Sequence, residues 1–208
     1  MTATRTRRTR GTGHELRGLV LERATDLLAE LGDVDALTMR AVATASGVTP
    51  PSLYRHFSDK ETLVQAVIAA RFEEFTSVLR TAATNAADQP MARLEATART
   101  YVHWGLRQPG HYRVLFSAAN AGPAGLGLSP ETEHPGAESY RTVIEAVAAC
   151  LPVPRHDATL ILATELWASL HGIVDLRITK PDMSWPAWDQ LVDAALGAVR
   201  TAATNSSP

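Results

Sequence analysis

The feature that most constrains this chain is a close series of helix starts and stops between residues 32 and 61. Gly32 can end one helix and Gly47 another, because glycine enters the left-handed conformation that closes a helix without steric cost. Thr38 stands where a hydroxyl can accept from a free first-turn amide. Thr49-Pro50 opens a further helix, with proline in the first position, where a missing N–H costs nothing. Ser58-Asp59-Lys60-Glu61 reads as a capping box, in which the Ser58 hydroxyl and the Glu61 carboxylate satisfy orphan amides reciprocally. The spacing predicts helices over residues 14–31, 39–45 and 50–57, and a long one from 58 toward 80. In the first, Leu16, Val20, Ala24, Leu27 and Leu31 recur at three- and four-residue intervals and make an apolar stripe. Ala43 and Gly47 supply the small residue and the turn glycine that two crossing helices need, and Val48 and Leu53 fix the crossing. Residues 14–60 are therefore predicted to be a helix-turn-helix module.

Beyond Gln89-Pro90 the text is helical again, over about 91–107, 109–118, 138–150, 156–179 and 186–201, with no sustained strand alternation. The expected fold is all-α: an N-terminal three-helix module joined by a long helix to a helical body over 61–208. Residues 1–13 lack an apolar set that could pack and should form a disordered basic arm, its arginines spaced for phosphates or a minor groove. Residues 117–136, rich in Gly and Pro, should be a long loop, which compact domains rarely keep without a use.

The net charge of −2 conceals an uneven distribution. Residues 1–60 carry nine basic and seven acidic side chains, a balance of +2 that leaves −4 for the remainder. A basic head on an acidic body suits a nucleic-acid partner better than the total suggests. No run of about 18 apolar residues marks a membrane span, and the N-terminus lacks the apolar segment of a signal peptide, so a soluble cytoplasmic protein is expected. Cys150, the single cysteine, excludes an internal disulfide and reads as a buried structural thiol at the apolar end of a helix. Catalysis is not supported. His103, His111, His134, His156 and His171 fall into no HExxH pattern or helical pair with a carboxylate. There is no nucleophile elbow, and the Gly122–Gly127 stretch lacks the Lys-Ser/Thr of a phosphate loop.

The segment TMRAVATASGVTPPSLYRHFSDKETLVQAV, residues 38–67, resembles the TetR family of bacterial regulators, following its pattern T..A.A.GV....LYRHF..K..L. over 14 to about 68. The resemblance implies double-stranded operator DNA as partner and Thr49–His56 as the recognition helix in the major groove. Thr38, Thr49, Ser52, Tyr54, His56 and Lys60 would contact mainly the backbone. Arg40 and Arg55 are the long donors able to reach a guanine edge. Pro50 and Pro51 occupy the tip used for base contact yet can offer only apolar contact, which shifts weight to DNA shape and the arm.

In the body, PGHYRVLF (109–116), LWASLHG (166–172) and a final amphipathic helix together resemble the TetR subfamily whose C-terminal domain is named for a Trp-His-Gly signature. This implies a homodimer through helices at about 156–179 and 186–201, and a rough palindrome as operator. It also implies a cavity bordered by Tyr101, Trp104, His111, Phe116, Tyr140, Trp167 and His171, suited to a small, largely apolar effector, with no metal or cofactor. The function implied is a repressor, nucleoid-associated in a bacterial cytoplasm and released by that effector. A ligand-independent regulator or a protein-binding adaptor is the alternative. The residues also allow a plain reading, in which the aromatics are core and His171 bonds a neighbouring helix.

Overall fold

The computed structural model of the chain describes residues 12–116 and 134–204, and all the regular structure among them is helical. Most of the basic arm and of the Gly/Pro-rich loop lies outside these residues. Two compact units divide the chain, one holding residues 12–70 and 113–116, the other 71–112 and 134–204.

The first unit contains α1 (Thr12–Leu31), α2 (Met39–Ala45), α3 (Pro50–Tyr54) and the start of α4 (Lys60–Asn85). Its core comprises Val20, Ala24 and Leu28 from α1, Leu37, Val42 and Ala43, Leu53 and Phe57, and Leu63, Val67 and Ile68 from α4. The stripe on α1 differs from expectation at its C-terminal end, where Leu31 is 44% exposed and Leu28 is buried. By a 3.6-residue repeat Leu31 falls back on the face of Val20, so its exposure comes from its place as the last residue of α1, beside Gly32, and not from its phase. Gly32 (φ +67°) and Gly47 (φ +65°) are in the left-handed region. Gly47 N–H donates to Thr44 O at 3.1 Å and Val48 N–H to Ala43 O at 2.9 Å, the paired bonds that close a helix through a left-handed glycine.

The second unit contains the rest of α4, α5 (Pro90–Arg107), the start of α6 (Pro109–Phe116), α7 (Ala137–Cys150), α8 (His156–Thr179), α9 (Trp188–Ala195) and α10 (Gly197–Thr204). The single helix expected over 186–201 is two, because the chain tightens at Leu196, whose N–H is shared between Val192 O and Ala194 O, before Gly197 restarts it. Helix α8 packs on α5, α7 and α9. Its buried stripe runs through Thr159, Ala163, Leu166, Leu170 and Val174, while Leu160, Ile161 and Leu176 are exposed. By length and composition alone α8 would pass for a membrane span, its mean hydropathy reaching 1.2 over 18 residues. That excess arises because apolar side chains occupy more than the face turned to the core.

Polar ties hold the second unit together across helices. Arg99 and Arg200 both bond the Asp193 carboxylate, at 2.7 and 3.2 Å, and Arg200 also bonds Glu95 at 2.6 Å, joining α5, α9 and α10. The buried hydroxyls of Thr76 and Ser139 meet at 2.6 Å between α4 and α7. Cys150 is half-buried, not fully enclosed as expected; its thiol donates to Ala146 O at 3.3 Å, and burial, with Glu95 nearby, pushes its pKa up to about 11.

Candidate DNA-binding interface and aromatic centre of the body

The two helices of the turn motif are positioned by their caps. Thr38 Oγ1 accepts from Ala41 N–H at 3.2 Å, as expected of an N-cap. Thr49 occupies the N-cap of α3 but makes no side-chain cap bond, because its carbonyl instead accepts from Ser52 N–H (2.8 Å) and Leu53 N–H (3.2 Å). Regular helix in α3 stops at Tyr54, and turn bonds from His56 and Phe57 N–H to Leu53 O carry the winding on to Phe57. Helix α4 starts one residue later than the predicted capping box. Asp59, not Ser58, is the cap: its Oδ1 accepts from Thr62 N–H at 2.7 Å while Ser58 Oγ–H donates to its Oδ2 at 2.8 Å. The bonds from Thr62 and Ser58 hold the Asp59 carboxyl below its usual pKa.

Of the residues expected to meet DNA, Arg40, Thr49, Pro50, Pro51 and Arg55 are exposed, as is Tyr54 at 51%. Ser52 is buried at 7% exposure and accepts from the Arg55 guanidinium at 3.1 Å, so it orients Arg55 from beneath. His56 is half-buried. Lys60 Nζ donates to Val34 O (3.3 Å) and Asp35 O (3.4 Å) and lies 3.8 Å from the Asp35 carboxylate, gripping the turn that leads into α2. Arg17 stacks over Phe57, 5.3 Å from the ring centroid, and fixes α1 to the end of the α3 turn.

In the second unit the structure brings together four of the residues expected to border a cavity and sets others apart. Tyr101 is buried at 1% exposure. The Tyr101 and Tyr112 hydroxyls are 3.4 Å apart, and the Tyr112 hydroxyl lies 2.5 Å from His171 Nδ1. Tyr140 stacks against Trp167 at 5.4 Å and bonds the Thr164 hydroxyl. Burial pushes both tyrosine hydroxyls far above their usual range and lowers the proton affinity of His171, the latter partly offset by Asp175. Trp104, 5% exposed, packs on Phe75 at 4.8 Å, with its indole N–H buried and without a hydrogen-bond partner among the described residues. His111 bonds Gln108 within its own turn at 2.8 Å, and Phe116 is half-buried at the end of α6. Sequence reasoning passed over Tyr112, the residue that joins the chain of polar groups, and Gly105, whose bare Cα lets Tyr112 and Val174 approach. The available signal for Tyr112 was its place in PGHYRVLF, but a helix this short leaves its phase undetermined.

A helix-turn-helix unit followed by a second helical unit defines a class, the helix-turn-helix regulatory proteins. Residues 20–67 match the family described as bacterial regulatory proteins, tetR family, and residues 94–199 match the tetracyclin repressor-like C-terminal domain. The chain belongs to the TetR family, whose members are transcriptional regulators and not enzymes. It is 33% identical over 146 residues to the uncharacterized HTH-type transcriptional regulator Rv0681 of Mycobacterium tuberculosis, matching 70% of this chain and 62% of that protein. Over 55 residues it is 46% identical to the class A tetracycline repressor of transposon 1721 from Escherichia coli, matching 26% of this chain and 25% of that protein. The chain thus spans less than two thirds of either relative. Its fold matches that of a transcriptional regulator from Pseudomonas aeruginosa PAO1 with a TM-score of 0.74 at 18% identity, over 91% of this chain and 92% of the other.

Proposed function

We propose that the chain is a cytoplasmic, nucleoid-associated repressor that binds a palindromic operator as a homodimer and is released by a small, largely apolar effector. The observation that carries the DNA-binding part is the α2–α3 turn, closed through Gly47, which leaves Arg40, Thr49, Pro50, Pro51, Tyr54 and Arg55 exposed on one module. Arg55 and Arg40 serve base readout, and Thr38, Thr49, Tyr54, His56 and Lys60 serve the backbone, with Ser52 holding Arg55. Pro50 and Pro51 give apolar contact.

The dimer forms through α8 with α9 and α10. Apolar side chains on two faces of α8 call for two partners, the body's own core and a second copy. Ile161 is 66% exposed, and an open groove of about 390 Å³ runs between α8 and α9–α10, bordered by Glu165, Ser169, Ile173, Leu191, Ala194 and Ala198. The small alanines allow close approach of a neighbouring helix. In the released state effector binding moves the central helices, α4 shifts the module, and the two recognition helices leave register with successive grooves. Only a difference in effector affinity between the two states can drive this.

On this reading the body belongs to the subfamily with the Trp-His-Gly signature, which the placing of Trp167, His171 and Gly172 on one helix supports. A second reading, a ligand-independent regulator or protein-binding adaptor, is favoured by the close packing of Tyr101 and Trp104, 1% and 5% exposed. Selection of bound fragments from genomic DNA tests the first part, with a palindromic motif expected. Titration of small apolar compounds against the selected fragment tests the second. If no compound alters affinity, the ligand-independent reading replaces gating while DNA binding stands.

A further inference from the structure

Among the described residues the side-chain atoms buried without a hydrogen-bond partner are Ser46 Oγ, Arg71 Nε, Trp104 Nε1, Thr159 Oγ1 and Arg177 Nε. The arginines pair through their terminal nitrogens, Arg71 with Glu74 and Arg177 with Pro186 O, and the two hydroxyls can rotate. The Trp104 indole has one polar atom, a donor that turns only with its ring. That ring is 5% exposed and packs on Phe75 of α4, itself 0% exposed, with centroids 4.8 Å apart. A buried N–H in this condition is rare, because a donor withheld from water loses its hydration and regains nothing. Of the residues expected to border a cavity, Tyr101, His111, Tyr140 and His171 each have a polar partner, at Tyr112, Gln108, Thr164 and Tyr112. Trp104 differs from them in offering a donor still unused.

We propose that the Trp104 indole N–H is the hydrogen-bonding point for the effector of the body, and that the compound it takes is apolar with one neutral oxygen acceptor of the carbonyl kind. The inference rests on the effector-released reading above and adds to it the chemistry of the ligand. A single neutral donor cannot offset the desolvation of a carboxylate, so the acceptor is uncharged. One placed polar group in an apolar site fixes a ligand's orientation in this way. The aromatic surroundings suit a flat compound: Phe75 meets Trp104 at 4.8 Å and Tyr101 edge-on at 5.1 Å. Because Nε1 is inaccessible to solvent, an oxygen reaches it only when a packed neighbour gives way, and Phe75 is the ring set against it. Phe75 lies on α4, the helix that shifts the module on that reading. The new hydrogen bond is thus made in one arrangement of α4 and not in the other, which is the difference in affinity that release requires.

The test is indole 1H–15N spectroscopy of the full chain, labelled at its four tryptophans, during titration with acetophenone and with α-methylstyrene. The two compounds share a ring and a shape and differ in carrying a carbonyl oxygen or a CH2 group, so ring-current effects are common to both. The Trp104→Phe spectrum assigns the signal, as do nuclear Overhauser contacts with the Phe75 ring in the wild type should that variant not fold. Trp185, which donates to Lys180 O at 3.0 Å, gives the position of a bonded indole. Acetophenone should move the Trp104 proton downfield toward it, and α-methylstyrene should not. Phenylalanine keeps an apolar ring and loses the donor, so the preference for acetophenone over α-methylstyrene should fall roughly three- to tenfold in Trp104→Phe. Taking the ratio of two compounds cancels the change in ring volume. Equal shifts from both compounds, no shift from either, or an unchanged preference in Trp104→Phe overturns the proposal. Operator affinity, measured alongside on the fragment selected from genomic DNA, separates this from the wider reading. Release by acetophenone without a Trp104 response overturns the donor and leaves gating, while a Trp104 response without release overturns gating and leaves the donor.

Discussion

Gly105→Ala should destabilise the body, although the same exchange elsewhere in a helix stabilises. A Cβ at residue 105 would lie 2.6 Å from Val174 Cγ1 and 2.9 Å from Tyr112 Cδ2. Neither neighbour can yield: Val174 is 0% and Tyr112 1% exposed. Overpacking of this kind costs about 1–3 kcal/mol, while replacing a helical glycine with alanine returns about 1 kcal/mol of propensity. With two enclosed neighbours penetrated, the upper part of the cost applies, and the net loss is about 1–2 kcal/mol. Gly172→Ala in α8 is the control, because nothing lies within 4 Å of its Cβ position. It should gain about 1 kcal/mol. At this chain length each kcal/mol moves Tm by about 2–4 °C, so the variants should shift in opposite directions and differ by roughly 4–12 °C. Thermal unfolding followed by far-UV circular dichroism at one protein concentration reads this, concentration being held because association would contribute to Tm. A Gly105→Ala protein as stable as wild type would refute the close approach of α5 to Val174 and Tyr112.

Asp59→Ala should lower Tm at neutral pH by removing the cap of α4. Because the folded-state pKa of Asp59 is depressed, its contribution is present above the ordinary carboxylate pKa and lost as pH falls through the lowered value, so thermal scans of variant and wild type should converge in acid. Arg55→Ala should relax sequence preference at one base pair, which competition binding with single-substituted operator fragments detects; equal losses on specific and random DNA would remove it from base readout. Lys60→Ala should weaken both kinds of DNA alike and reduce the salt slope by about one unit, whereas an unchanged slope would assign Lys60 to holding the turn at Val34 and Asp35 alone. Ile161→Glu should shift the protein to monomer in sedimentation velocity, and a persisting dimer would move the interface off this face of α8.

The parts of the fold that were legible in the sequence are those decided within one turn of helix. Gly32, Thr38 and Gly47 act through their own backbone or the amides beside them, and each occupies its expected role. Ser58 was misread because Ser and Asp are adjacent and both can cap; the choice fell to Asp59, whose carboxylate the Ser58 hydroxyl supports and whose charge suits the N-terminal dipole. Contacts between helices were legible as residue types but not as partners. Tyr101, Trp167 and His171 could be named from the family resemblance, yet the residue that lies between the Tyr101 hydroxyl and His171 is Tyr112, one position from the expected His111. On a helix of eight residues one position is 100° of rotation, and only packing against Gly105 settles which side chain points inward.

The same local chemistry bears on how the module can read DNA. A recognition helix ordinarily brings free first-turn amides as well as side chains to the duplex. Here Pro50 and Pro51 have no N–H, and the amides of Ser52 and Leu53 are both taken by Thr49 O. Within α3 (Pro50–Tyr54) the first turn therefore has no free N–H among Pro50, Pro51, Ser52 and Leu53, and Ser52 is turned inward to hold Arg55. Recognition on the proposed dimer must then rest on few side-chain contacts per half-site, supplemented by groove shape and by the separation that α8 to α10 impose between the two modules. An operator read in this way should lose more affinity when a base pair is inserted between its half-sites than when any single contacted base is changed. The insertion rotates one module about 34° around the duplex, one step of a helix of 10 to 10.5 base pairs per turn, while a substitution removes one contact worth about 1–3 kcal/mol.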